Sequence, residues 1–376
     1  MLRGVLLAEE RLSLCFSTAW HRVQGAELIT LAETTTAVPP YPLSRGEVQR
    51  TLGTAFHLDE RRLAVALAIV DNAQVEQRYV VLPPEYLIRP RSLTQTMQEY
   101  REHALGLTRQ VAQRCLDQAG LDACDIDLII TVSCTGYMIP SLDAYLINDL
   151  GFRPDVRRLP ITELGCIGGA MALSQAWSFV RAFPGANVLV VAVELPSLNF
   201  QPRDTSMANI VATALFGDGA AAALVTGQPR PGVEIVGTQS ALIPGTLGDM
   251  GYDLRDSGFH MVLSKDVPAI LRGQIGRLAT SFLMQHGLGV DQVAAFALHP
   301  GGKKILEYLE QELRLRREQT QPSWTVLRDY GNLSSAAILF VLHEWLTKRE
   351  LGSGQYGLAA GFGPGLSAEL LLLRWT

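Results

Sequence analysis

Three landmarks recur in the same order in the two halves of this 376-residue chain, and that repetition restricts the fold more than any other feature. In the first half, DLIITVSCTGYMIPSLDAYLIN (127–148) reads as a strand, a turn and a helix. VAAFALHPGGKKILEYLEQEL (293–313) has the same layout in the second half. ELGCIGGAMALSQAW (163–177) is a turn opening into a small-residue helix, and YGNLSSAAILFVLHEWL (330–346) matches it. ALFGDGAAAALVTG (214–227) then pairs with YGLAAGFGPGLSAELLLLRW (356–375). A duplicated α/β unit is expected, with its chemistry at the seam between the copies. The Pro/Gly-rich GQPRPGV (227–233) is the linker candidate. The expected organisation is an extension over 1–25, a first half over 26–228 and a second half over 229–376.

The remaining pattern agrees with a layered α/β protein. NVLVVAVEL (187–195) is apolar without alternation, as suits a strand buried on both faces. Residues 98–119 predict an amphipathic helix ending near Gly120, and 142–150 a helix closing at Gly151. Pro39, Pro40 and Pro42 forbid helix ahead of Ser44, a suitable N-cap for the helix that follows. A net charge of -5 argues against general nucleic-acid binding. The five cysteines (Cys15, Cys115, Cys124, Cys134, Cys166) show no disulfide framework and no metal-ligand spacing. The N-terminal apolar run is cut by Glu9, Glu10 and Arg11, too short and too charged for a secretory signal or a membrane span. A cytoplasmic protein with no metal, no nucleic-acid partner and no membrane partner is expected.

Three residues have a setting suited to chemistry. Cys166 stands where a turn becomes a helix, and the dipole and free N–H groups there are expected to favour the thiolate. Taken alone it reads equally as a small core residue. His299 ends an apolar strand and precedes Pro300, Gly301 and Gly302, pointing towards the crevice where α/β folds bind ligands. Asn332 opens a helix, so N-capping is its ordinary role. The duplication places it opposite Cys166, in the same position of the second half. Such a trio suits acyl transfer: the thiolate takes an acyl group as a thioester. The imidazole and the amide donate hydrogen bonds to a thioester oxygen as a malonyl unit loses CO2. The same trio could also hydrolyse amides.

The strings GCIGGA, ALFGDGAA, HPGGKKIL, GNLSSAAILFVL and GFGPGLSAELLLL, in this order, resemble the type III polyketide synthases, the chalcone synthase-like branch of the thiolase superfamily. The resemblance runs from about residue 26 to 376. It implies a five-layered αβαβα fold and a homodimer, with Cys166, His299 and Asn332 as the catalytic triad. It implies an acyl-CoA starter and malonyl-CoA as substrates, repeated decarboxylative condensation, cyclisation and no bound cofactor. Products of pyrone, resorcinol, phloroglucinol or naphthalene type all fit it. By motif match, Phe216 and Phe259 resemble paired aromatic gatekeepers, while Gly251, Ser334 and Asn199 resemble cavity residues. Met138–Ile139–Pro140 matches the loop that crosses the dimer interface. Cys134 replaces a plant threonine, and SCTG is closer to bacterial tetrahydroxynaphthalene and phloroglucinol synthases. The plant CoA-binding basic residues are poorly matched around 61–72, where Arg61 and Arg62 are out of register and Ala68 and Asn72 are not basic. Lys303 and Lys304 are the substitutes expected to meet phosphate. The rival readings are a single-condensation ketoacyl synthase, a non-catalytic thiolase-fold binding protein and a cysteine hydrolase.

Overall fold

The computed structural model describes residues 28–348 and 351–376. The expected 1–25 extension, with Cys15, lies outside the described residues.

Thirteen strands are described: β1 (Thr30–Ala37), β2 (Tyr41–Ser44), β3 (Gln77–Val80), β4 (Leu128–Val132), β5 (Arg157–Ile161), β6 (Asn187–Glu194), β7 (Gly219–Thr226), β8 (Val233–Leu242), β9 (Met250–Arg255), β10 (Gly258–Leu263), β11 (Val293–Leu298), β12 (Tyr356–Gly363) and β13 (Ser367–Trp375). Nine of them join in the order β11-β12-β13-β8-β1-β7-β6-β4-β5. The duplication is visible in the pairing. β4 runs parallel to β6, β6 antiparallel to β7 and β7 antiparallel to β1. In the second half β11 runs parallel to β12, β12 antiparallel to β13 and β13 antiparallel to β8. Within the nine-stranded sheet the two halves join where Thr30 and Leu31 of β1 pair with Glu234 and Val233 of β8.

Two helices lie between the sheet halves, Gly168–Ala182 and Ala337–Lys348. Both are lined with small or aliphatic residues, and they share one core with inward residues of both sheet halves, such as Val190, Ala221, Ala297 and Leu371. The opposite sheet faces carry the outer helices, with Leu93–Ala119 on one side and Ile275–Gln285, Lys303–Leu313 and Arg317–Tyr330 on the other. Helix, sheet, helix pair, sheet and helix give the five-layered αβαβα arrangement. Buried apolar faces on both sides of each sheet half explain why β6 is buried at all eight positions.

Local chemistry sets the boundaries. Ser92 and Gln95 form a capping box that starts the Leu93–Ala119 helix, and Gly120 ends it at φ +61°. Ser44 and Glu47 do the same for Arg45–Ala55. The β9–β10 hairpin and the Arg317–Tyr330 helix, which contains Pro322, had no counterpart in the sequence pattern.

Candidate active site

The two helices of the middle layer each begin with a short 3-10 turn, Gly165–Ile167 in one half and Ser334–Ala336 in the other. Cys166 is the middle residue of the first turn. Gly165 has φ +57°, and a Cβ there would stand 2.5 Å from Cδ of Pro364. Only glycine fits both the backbone and the contact. The turns abut: a Cβ on Gly169 would lie 2.1 Å from the Ser335 carbonyl oxygen. β12 closes the seam from the side, since a Cβ on Gly363 would be 2.8 Å from the Ile167 nitrogen.

Asn332 lies three residues before Ser335, the middle of the second turn, so it is not in the same position as Cys166. The counterpart of Cys166 is Ser335, and both turns begin with a left-handed residue, Gly165 at φ +57° and Ser334 at φ +49°. The expected one-to-one placement of Asn332 and Cys166 is corrected by three residues. Motif likeness hid this shift because both strings read as turn and then small-residue helix. The side chains still gather. Ser334 N–H donates to Oδ1 of Asn332 at 2.9 Å, and Oγ of Ser334 stands 3.4 Å from Sγ of Cys166 and 3.3 Å from Sγ of Cys134.

Glu194, at the end of β6, supports this cluster from below. It accepts from the Cys134 N–H at 3.1 Å, from the Thr135 hydroxyl at 2.7 Å and from the Ser335 hydroxyl. Burial raises its proton affinity, and these donors oppose that rise.

His299 ends β11, where its N–H donates to the Ala360 carbonyl at 2.9 Å. It is 2% exposed, and its Nδ1 has no protein partner. Burial pushes its pKa down to about 4, so the imidazole is neutral at physiological pH. Gly301 leaves the ring open: a Cβ there would come within 3.3 Å of Cδ2. β12 lies between His299 and the nucleophile turn, hydrogen-bonded to the first through Ala360 and packed on the second through Gly361 and Gly363.

The expected thiolate stabilisation at Cys166 is reversed. Burial pushes the thiol up to about 12, the Ser334 contact opposes it, and the Glu194 charge adds to it. Desolvation outweighs a helix opening here because the dipole effect amounts to only about 1 kcal/mol near a surface. The thiol rests neutral and needs a base to become a nucleophile.

Beside the cluster is a largely apolar cavity of about 90 Å³. Phe216, Phe259 and Asn199 line it, with Tyr252 and Met261. Asn199 donates to the Thr135 carbonyl at 2.7 Å. Gly251 pairs with Val262 in the hairpin, on the face opposite to Tyr252 and Met261, and does not line this cavity. Lys303 pairs with Glu307 at 3.8 Å and Lys304 is exposed, both away from the cavity lining. Tyr252 was not picked out in the sequence. Its ring packs edge-on against Phe259 at 5.7 Å. Burial raises its hydroxyl pKa, and so do the nearby Cys134, Cys166 and Glu194, which links the cavity to the thiol cluster. Only its place next to Gly251 could have drawn attention to it.

Among the described residues, no group of three or more His, Cys, Asp or Glu side chains could hold a metal ion, and no helix is long and apolar enough to cross a membrane.

Comparison with known proteins bears on this site. The signature described as chalcone and stilbene synthases, N-terminal domain, matches residues 29–229, and the C-terminal domain signature matches 234–376. The chain is 37% identical to 1,3,6,8-tetrahydroxynaphthalene synthase of Streptomyces coelicolor over 348 residues, 93% of this chain and 92% of that one. The crystal structure of that bacterial type III polyketide synthase superposes with a TM-score of 0.89, covering 92% of this chain and 99% of the other. Phloroglucinol synthase of Pseudomonas fluorescens is 35% identical over 325 residues, 85% of this chain and 92% of its own length.

Proposed function

The chain belongs to the chalcone and stilbene synthase family and is a type III polyketide synthase, and we propose that it condenses CoA-bound acyl units on Cys166 beside the cavity lined by Phe216. An acyl-CoA starter loads the Cys166 thiol: neutral His299 takes its proton, the sulfur attacks the acyl carbonyl, and the CoA thiolate leaves with that proton, which returns His299 to its neutral form. Malonyl-CoA then occupies the site with its thioester oxygen towards His299 and Asn332. Carbon–carbon cleavage releases CO2, and the electron pair moves onto the thioester as an enolate held by those two donors. The enolate carbon attacks the Cys166 thioester, a carbon–carbon bond forms and the thiolate leaves. The Cys166 thiolate takes the ketoacyl group back from CoA, which leaves as its thiol; repetition lengthens the chain, and cyclisation follows in the cavity.

The observation that carries this reading is the meeting of Cys166 and Asn332 on one residue, Ser334, whose hydroxyl stands against the Cys166 sulfur and whose backbone N–H donates to the Asn332 side chain, at a buried seam between duplicated halves. A hydrolase would need a water beside the thiol; the largely apolar cavity favours condensation instead. The relatives named for tetrahydroxynaphthalene and phloroglucinol formation support an aromatic product of that type. Purified protein with malonyl-CoA and a panel of starters tests this. Mass spectra should show CO2 release and products carrying more than one malonyl unit. A single condensation, or strict need for an acyl carrier protein, would favour a ketoacyl synthase.

The working form is a homodimer. The edge strand β5 has one free side, and Tyr137 and Ile139, 57% and 80% exposed, project nearby as apolar surface. Ile139→Asp should yield monomers in analytical ultracentrifugation.

A further inference from the structure

The Met207–Leu215 helix ends against two segments remote in sequence, and together they account for its last three carbonyls. Ala212 accepts the Phe216 N–H at 2.9 Å, and Leu215 accepts the Asn332 N–H at 2.8 Å. Thr213 and Ala214 accept the two terminal nitrogens of Arg78 at 2.6 and 2.7 Å. An α-helix leaves the carbonyls of Thr213, Ala214 and Leu215 without internal partners here, so all three are closed from outside the helix. One Arg78 nitrogen also reaches the Phe216 carbonyl at 3.4 Å. In return, the Asn332 carbonyl accepts the Gly217 N–H at 3.2 Å, making a bridge between Phe216 and Asn332.

Arg78 belongs to β3, is 1% exposed and lines the cavity. Burial pulls its pKa down to about 10, so it stays cationic at neutral pH. Among the described residues no carboxylate pairs with it; the negative end of the helix answers its charge. The fit is tight, since a Cβ on Gly217 would lie 2.3 Å from the Tyr330 carbonyl oxygen and 3.0 Å from Cβ of Arg78. A lysine has one charged nitrogen and cannot span two carbonyls as a planar fork does.

We propose that Arg78 is a positioning residue for condensation: its guanidinium locks the end of the Met207–Leu215 helix and so holds Phe216 and Asn332 in one fixed relation. This rests on the reading of Asn332 as the enolate's donor and of Phe216 as the wall of the condensing cavity. The Arg78 guanidinium is spent on the carbonyls of Thr213 and Ala214, so it acts through the backbone that carries Phe216 and Asn332. Loosening it should leave loading of Cys166 intact, yet let CO2 release run ahead of bond formation.

Native-state hydrogen exchange on the wild type comes first. The amides of Phe216, Gly217 and Asn332 should fall in the slow class with β6; rapid exchange there overturns the proposal, whatever the variants do. In Arg78→Lys, exchange at those three amides should rise by about tenfold or more while β6 keeps its rate. The ratio of CO2 released to polyketide formed should rise by roughly tenfold, and adding Phe216→Ala should not raise it much further. An Arg78→Lys protein with a lower melting temperature but wild-type exchange and wild-type ratio would show a merely structural role and overturn the proposal. A wild type that releases no CO2 from malonyl-CoA would sink the functional reading instead, and the exchange data would still judge the lock.

Discussion

The two 3-10 turns at the seam have the same backbone and opposite tasks. Each begins with a left-handed residue and runs straight into a middle-layer helix. In the first half the middle residue is Cys166, whose hydrogen-bonding side-chain contact among the described residues is the Ser334 hydroxyl. In the second it is Ser335, tied to buried Glu194. One copy keeps its central side chain free for a substrate; the other uses it as a strut. The donor proposed for the second copy, Asn332, lies three residues upstream, on the bridge with Phe216. A duplicated frame thus supplies chemistry through unequal use of equal positions.

The largest effect that would break this comparison is at the free position. Cys166→Ala should lower polyketide formation by about a thousandfold or more, while malonyl-CoA is still decarboxylated because both donors remain. Normal product from that variant, read by mass spectrometry, would mean the turn is a strut in both halves. Asn332→Ala comes next. It should slow CO2 release by about 100- to 1000-fold with acylation of Cys166 retained. A variant that loses both equally would place Asn332 in the frame alone.

Ser335→Ala sharpens the contrast. It removes a donor from a buried carboxylate, which costs about 1–3 kcal/mol of stability in thermal melts. Its catalytic loss should stay below that of Asn332→Ala. The smallest effect concerns pH. With the His299 pKa near 4, CO2 release by Cys166→Ala should show no imidazole step between roughly pH 5.5 and 8. A step near the ordinary histidine value, in a rate–pH profile, would mean that His299 is solvated or paired with an anion.

The architecture was legible because strand runs such as 187–195 and glycine-bearing turns such as GCIGGAM express burial and backbone shape locally. Cys166, His299 and Asn332 could be nominated from the sequence because each stands near an element's end beside small residues. What stayed hidden depends on closure between remote segments. Glu194 reads as the end of an apolar run, and only the fold brings Thr135 and Ser335 to it, 59 and 141 residues away. Arg78 in EQRYVVL reads as an ordinary strand charge, since nothing in the text says that its partners are carbonyls 135 and 136 residues further on. The thiol's pKa direction was misjudged because a helix opening is visible in sequence and the depth of burial is not.

Peptide mapping of the acyl adduct tests the central claim most directly. After brief exposure to an acyl-CoA starter without malonyl-CoA, the added mass should sit on the peptide containing Cys166 and vanish on addition of malonyl-CoA as CO2 and polyketide appear. An adduct confined to Cys134, or release of the free acid with no carbon–carbon bond made, would contradict it.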